Sequence, residues 1–452
     1  MGWILFLLAA TGGLLSAQPL TVAQAVERAL RNYPSIRVSE EQMNAAAVGI
    51  RLARTAYLPR VDSLFQVNRA TRNTFYGLLL PQNVISSVDG VASNNFGTVW
   101  NSGAGVLVSW QPFDFGLRAA NVAVASAARG EAQATLNRTR YEVSVAAADA
   151  FLTVLAAQQT AQAARAAVDS WQTLLRSIHA QVTAELRPGA DESRVQAELA
   201  AAETQVAQVE QAVAVARSTL ALFVGGNAAE VALSPGRLVA ELPAERPEPA
   251  LNASGNPLAQ QQTALIAERQ KQLDALGRTY YPQFLLQSEA SARGTGLVNS
   301  GSRLGGLNGL APATQNYAIG LTVTFPVMDR YAQAAEEAQE AANLRADQAQ
   351  YRVITANLEA QFRAAQANLA GTRRVAANTP VGVAAAHAAL EQATARYRSG
   401  LVPIDDVAQA HRLVVQAQID DSLARLNVWR AQLQLDSARG DIQLFLAMAT
   451  AP

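Results

Sequence analysis

No cysteine occurs among the 452 residues. Disulfide frameworks, thiolate metal sites, iron–sulfur clusters and cysteine nucleophiles are therefore excluded. Histidine is almost as scarce: the chain has His179, His387 and His411 and no other. Each falls in a helical segment with no partner at metal-ligand spacing, so each reads as a helix surface or core residue. Met1, Met43, Met328 and Met448 are too scattered to form a thioether relay. Aromatic residues make up 6% and charged residues 16% of the chain. Neither charge sign prevails, because 36 basic residues cancel 36 acidic ones, and no global field attracts nucleic acid. A phosphate-cradling motif is missing too: Gly103-Ala104-Gly105 sits in a strand pattern, and Gly301-Ser302-Arg303-Leu304-Gly305-Gly306 has loop composition. The chain offers no enzymatic centre and predicts no cofactor and no metal site.

Apolar residues, by contrast, are half of the chain. The run Trp3 to Ala10, followed by Leu15-Ser16-Ala17, reads as a secretory signal over 1–17, cleaved before Gln18. Beyond it no uncharged apolar stretch reaches the roughly 20 residues a transmembrane helix needs. No cysteine follows the cleavage point, so no lipoprotein anchor is expected.

One pattern then occurs twice. Asn32-Tyr33-Pro34 precedes Leu58-Pro59 as Gly255-Asn256-Pro257 precedes Tyr281-Pro282. Trp110-Gln111-Pro112-Phe113-Asp114 answers to Thr324-Phe325-Pro326-Val327-Met328-Asp329, and Ala184 to Gly189 answers to Ala395 to Gly400. The offsets of 223, 214 and 211 residues drift slowly. This predicts a first repeat over 18–240, a proline-rich linker over 241–257 within a stretch that also holds Pro235, and a second repeat over 258–452. Both repeats would form one intertwined domain.

Each repeat reads as helix, strand pair, very long helix, tight turn, helix. Thr21 with Gln24 makes a capping box for the first helix. Ala119 to about Glu185 has apolar residues every three to four positions, as in Val143, Ala147, Ala150, Phe151 and Val154, and at 1.5 Å per residue approaches roughly 100 Å. Its counterpart, Tyr331 to Arg398, carries Thr379-Pro380, which predicts a kink or short break there. Surfaces of Ala, Gln, Val and Leu suit antiparallel packing in a coiled-coil manner.

Four segments alternate with period two. Tyr317, Ile319, Leu321, Val323 and Phe325 alternate with small or polar residues, as do Ala104, Val106, Val108 and Trp110. Val61, Phe65 and Val67, and Phe284 and Leu286, do so more weakly. About ten residues of apolar-out, polar-in alternation mark an outer-membrane β-barrel strand. Long Gly/Asn/Ser-rich loops, Arg69 to Gly103 and Ala292 to Gln315, separate the members of each pair. Trp100 and Trp110 suit the interface belt, and Trp171 and Trp429 suit helix packing. Four strands are too few to close a barrel, which needs about eight, and an open sheet edge is not tolerated in lipid. Two, three or four chains must therefore share one barrel.

The opening Leu20-Thr-Val-Ala-Gln-Ala-Val-Glu-Arg-Ala-Leu-Arg-Asn-Tyr-Pro34, the paired Leu58-Pro59 and Tyr281-Pro282, the strand-ending Pro-Phe-Asp and the turn Tyr397-Arg398-Ser399-Gly400 resemble the TolC-like outer-membrane efflux protein family. The resemblance implies a mainly α chain with a membrane β part. Long antiparallel helices would form a periplasmic α-barrel, and a homotrimer would share one β-barrel in outer-membrane lipid. Such a protein is the exit duct of a tripartite efflux pump, docking a periplasmic adaptor and served by an inner-membrane pump or ABC transporter. The alternatives are a type I secretion duct for proteins and, in another class, a secreted helical scaffold without a channel.

By the same resemblance, Tyr397 ties neighbouring coils and Asp406, with Asp405 beside it, contributes to a constricting ring. A second ring aspartate is replaced by Gln409, and a basic linking residue falls on Val402, departures that predict a leakier resting state. Three copies of one carboxylate about an axis narrow a pore and favour cations. The other reading of Asp405 and Asp406 is N-capping of the helix after Pro403. Arg187, Gly189, Arg194, Arg398 and Gly400 belong to the helix tips that meet the adaptor, with Gly189 and Gly400 expected at positive φ. Arg187 and Arg194 read either as solvated surface charges or as partners of acidic residues of the neighbouring coil when the tips are shut.

Overall fold

The computed structural model describes residues 19–71, 97–227, 232–246, 250–298 and 302–450. The expected signal over 1–17 lies outside them, as does part of each long loop. The elements run α1 (Val22–Asn32), α2 (Pro34–Thr55), β1 (Arg60–Thr71), β2 (Thr98–Trp110), α3 (Leu117–Thr183), α4 (Gly189–Val224), α5 (Arg237–Ala240), α6 (Pro257–Leu276), β3 (Gln283–Thr295), β4 (Thr314–Thr324), α7 (Arg330–Arg398), α8 (Ile404–Arg439) and α9 (Gln443–Thr450). Two compact units result, one from 1–43, 132–264 and 348–452, the other from 44–131 and 265–347.

The first unit is helical. Thr21 opens α1 with the expected capping box: its hydroxyl accepts from the Gln24 N–H at 3.3 Å, and the Gln24 side chain accepts from the Thr21 N–H at 3.0 Å. Val22, Ala25, Val26 and Ala29 then fall on one face and are buried. They meet Phe151, Val154 and Leu155 of α3, Leu220 and Val224 of α4, Trp429 and Leu433 of α8 and Phe445 of α9 in the largest core cluster. Burial of each Phe or Leu there is worth about 1.5–3 kcal/mol. Alanines between these large residues let the helices approach closely. The linker is fastened to this core by the Trp429 indole, which donates to the Glu241 carbonyl at 2.8 Å, and the chain ahead of it by a parallel bridge between Leu20 and Leu233. Pro257 is no linker residue but the first of α6, just as Pro34 is the first of α2, where a missing N–H costs nothing.

The expected break at Pro380 is absent. α7 continues from Arg330 to Arg398 with Pro380 inside it. The Thr379 hydroxyl lies 2.7 Å from an Asp421 carboxylate oxygen of α8 and 3.4 Å from the Ala376 carbonyl, the acceptor that the Pro380 nitrogen cannot serve. Asp421 also holds Arg425 at 2.7 Å. A cross-helix anchor therefore holds the helix through the proline.

The second unit contains an antiparallel sheet in the order β1-β2-β3-β4. Its register aligns the alternations seen in the sequence. Val61 pairs with Val108 and Phe65 with Ala104; Trp110 pairs with Leu286 and Val106 with Ala290; Leu286 pairs with Leu321, Ser288 with Ile319 and Phe284 with Val323. Since side chains alternate across a strand, one face carries these residues on all four strands. The other carries Asp62, Gln66, Asn68, Gly103, Gly105, Gln287, Glu289, Gly320 and Thr322. Among the described residues β1 and β4 each have a single neighbour, and β4 is exposed along its whole length.

The Pro-Phe-Asp signature has a local reason. After β2 the chain turns through left-handed Phe115 and Gly116. The Asp114 carboxylate accepts from the backbone N–H of Gly116 at 3.2 Å and of Arg118 at 2.7 Å, and from the Arg118 guanidinium at 2.8 Å, so it starts α3. Arg118 in turn lies 4.7 Å over the Tyr57 ring.

Candidate functional site

The α3–α4 and α7–α8 turns stand side by side in the helical unit. Each ends its long helix in a Schellman closure, with a left-handed residue satisfying the last carbonyls. In the second turn the Gly400 N–H reaches the Tyr397 carbonyl and the Leu401 N–H the Arg396 carbonyl, both at 2.9 Å; in the first the Glu185 N–H reaches Val182 and the Leu186 N–H Gln181, also at 2.9 Å. The left-handed positions are Gly400 at φ 73° and Glu185 at φ 60°. Gly189 is not one of them, contrary to expectation. It opens α4 with Pro188 as N-cap, as Ile404 opens α8 with Pro403 as N-cap. The matching residues are thus Glu185 and Gly400, Pro188 and Pro403, Asp191 and Asp406, Arg194 and Gln409. The sequence pairing of Gly189 with Gly400 is out by four residues. Both second helices are 36 residues long and close on a glycine, Gly225 and Gly440.

Tyr397 joins the two turns. It is 4% exposed, in a cluster with Trp171, Ile178, Val195, Ile404, Val407 and Ala408. Its hydroxyl donates to the Asp191 carboxylate at 2.7 Å. Burial pushes its phenol up to about 12, aided by the Asp191 hydrogen bond and charge and opposed by Arg187. The Arg187 guanidinium donates to the Tyr397 carbonyl at 2.5 Å and lies 4.4 Å over its ring. Arg194 reaches Asp405 at 2.9 Å and Glu198 at 3.2 Å, and Arg412 stands 3.8 Å from Glu198. His179 meets Glu192 at 2.8 Å.

Of the residues singled out in the sequence, Tyr397, Arg187, Arg194 and Asp405 come together here. Arg194 finds a carboxylate of the other turn, whereas Arg187 takes the tyrosine instead of an acid. Asp406 and Gln409 are exposed, and the Asp406 side chain makes no hydrogen bond or ion pair among the described residues. Neither aspartate caps α8: the N-cap is Pro403, without a side-chain bond, and both lie in the first turn, where the helix dipole favours them. Arg398 is exposed at the end of α7. Sequence reasoning missed Asp191 as the partner of Tyr397; the signal available was its place as the third helical residue after a proline, shared with Asp406.

Residues 25–226 match the family model described as outer membrane efflux protein. No curated protein matches the chain in sequence. Among solved structures, the outer-membrane channel CmeC of Campylobacter jejuni superposes with a TM-score of 0.72 at 13% identity, over 93% of this chain and 85% of that one. VceC of Vibrio cholerae gives 0.71 at 17% identity, over 93% and 96% of the two chains. The open state of MtrE of Neisseria gonorrhoeae gives 0.71 at 14%, over 93% and 89%. These likenesses show the fold, and the family match over residues 25–226 agrees with the resemblance read from the sequence.

Proposed function

We propose, from its place in the outer membrane efflux protein family, that this chain is the exit duct of a tripartite efflux pump. It would conduct substrates passively from a periplasmic adaptor and an inner-membrane pump to the exterior. The observation that carries this reading is the sheet: four strands, one mainly apolar face and, among the described residues, two open edges. Lipid tolerates no unpaired edge, so copies of the chain must join β4 of one to β1 of the next. Three copies give a closed barrel of twelve strands. The polar face with Gln66, Gln287, Glu289 and Thr322 would then line the lumen.

The helix tips supply a gate in this reading. Tyr397, Asp191, Arg187 and the Arg194–Asp405 pair hold the two turns of one chain together. Asp406, free of that network, would face the axis with its copies as the constricting ring, Gln409 one turn on. Arg187 stands where Val402 stands in the other turn, so the basic tie missing at 402 is replaced from the first turn. The exposed Leu186 and Leu401 (73% and 71%) follow the two left-handed residues and suit adaptor contact.

Cysteine labelling in intact outer-membrane vesicles tests the barrel. Ile319→Cys and Leu321→Cys should be shielded from aqueous reagents and meet lipid probes, whereas Thr322→Cys should react from the water-filled lumen. Reversed labelling overturns the barrel assignment.

A further inference from the structure

His411 of α8 is 6% exposed. Its Nε2 lies 2.6 Å from the Ser170 hydroxyl of α3, and its ring lies 4.3 Å, centroid to centroid, from that of Trp171. Nδ1 is buried with no hydrogen-bond partner among the described residues. Trp171 belongs to the same cluster as Tyr397, so His411 sits where α3 and α8 pack just behind the tip turns.

We infer that His411 is a proton sensor for the tip bundle: its protonation drives the imidazole off Trp171, loosens α3 from α8 and shifts the tips toward the open arrangement. The inference rests on the gate proposed above. Neutral imidazole needs one donor and one acceptor, and Ser170 serves Nε2; the imidazolium has two donors, and Nδ1–H would meet no acceptor. The charge itself is disfavoured in an apolar cluster.

The groups facing His411 set the sign. α3 offers Ser170 and the Trp171 ring, whose face favours a cation. α4 offers Glu198, whose carboxylate also favours the charged form but is shared with Arg194 and, from α8 itself, Arg412. α7 contributes Tyr397 to the neighbouring cluster, already bonded to Asp191. Burial outweighs Glu198 and holds the imidazole below its ordinary 6.5. A depressed histidine loses stability as pH falls through the unfolded value and reaches its full loss below the folded one. The closed packing is therefore intact near neutrality and weakens in acid. Glu198 offers the departing imidazolium a place to go.

The test records the open probability of the full chain in planar bilayers as pH is lowered, for wild type, His411→Gln and His179→Gln. Glutamine cannot titrate yet keeps a polar end for Ser170. Wild type and His179→Gln should open about threefold more often at about pH 5.5 than at about pH 7.5, and His411→Gln should not respond. An equal response in all three, or none in wild type, overturns the sensor. Absence of any conductance at either pH instead defeats the duct reading. The sensor is then decided by tryptophan fluorescence of the detergent-solubilised chain, in which wild type should show an acid quench that His411→Gln lacks; the same quench in both overturns it. Should His411→Gln not fold, Ser170→Ala takes its place: it removes the acceptor of Nε2–H, which the imidazolium uses more strongly than the neutral ring, and should move the wild-type midpoint downward; an unmoved midpoint overturns the assignment.

Discussion

Tyr397 shows how one side chain serves two turns. Its ring fills an apolar cluster, and its hydroxyl and carbonyl are both claimed by the first turn, through Asp191 and Arg187. A hydrogen bond to a charged group is worth about 1.5–3 kcal/mol, so Tyr397→Phe should favour the open state by about tenfold per chain, read as open probability in bilayers. The raised phenol fixes the pH range of this tie. A group held above its ordinary value of 10 stabilises fully below 10 and loses that stability as pH rises through about 12. Asp191→Asn removes the charge that helps hold it there, so the tyrosinate absorbance assigned to Tyr397, taken as the difference from Tyr397→Phe, should appear at lower pH. An unmoved midpoint would show burial acting alone. The two neighbouring aspartates should also separate. Asp405 is held by Arg194 and Asp406 is not, so Asp406→Ala should reduce cation selectivity and Asp405→Ala should leave it unchanged while weakening the tie. Equal selectivity in both variants and wild type would remove the ring from Asp406.

At the scale of elements, the left-handed turn residues give the sharpest comparison. Gly400 adopts φ 73° without a Cβ penalty, and Glu185 adopts φ 60° with one. Left-handed backbone costs an L-residue roughly 1–2 kcal/mol. Glu185→Gly should therefore raise the thermal midpoint, and Gly400→Ala should lower it, in melts of the detergent-solubilised protein; opposite signs would mean that the two turns are not built alike. The same pair shows where sequence reasoning stopped. Gly400 advertises its turn, whereas Glu185 does not, and the eye is drawn four residues on to Gly189, which is ordinary helix. The strands were legible in their alternation but not in their ends: β1 runs to Thr71 and β2 starts at Thr98, inside the stretch read as a loop from Arg69 to Gly103, and β3 reaches Thr295. Trp110, Leu286 and Leu321 share a face, and a slip by one residue would turn every apolar side chain over. The helices were legible through Thr21-x-x-Gln24 and the spacing of Val143, Ala147, Phe151 and Val154. Pro380 misled, because a proline signals its lost hydrogen bond but not the Thr379–Asp421 contact to another helix that holds the segment. Asp191, Arg187 and His411 were legible as residues but not as a site. Their partners lie more than 200 residues away in the chain.

For the whole molecule, the central claim is that several copies close one water-filled duct. No helix of the described residues is long and apolar enough to cross a membrane. The proposed barrel rests on the sheet, whose outer strands β1 and β4 have no further neighbour among those residues. Equal lengths and equal caps of α4 and α8 support the two-repeat reading, in which each chain contributes two similar arms to the tunnel. If so, the purified protein should run in detergent as a trimer at every concentration. The most direct measurement is the current through a planar bilayer after the purified chain is added. The account predicts stepwise, cation-preferring conductance that rises when Tyr397 is replaced by phenylalanine. A bilayer that stays sealed while the protein is shown to be inserted in it would contradict the duct.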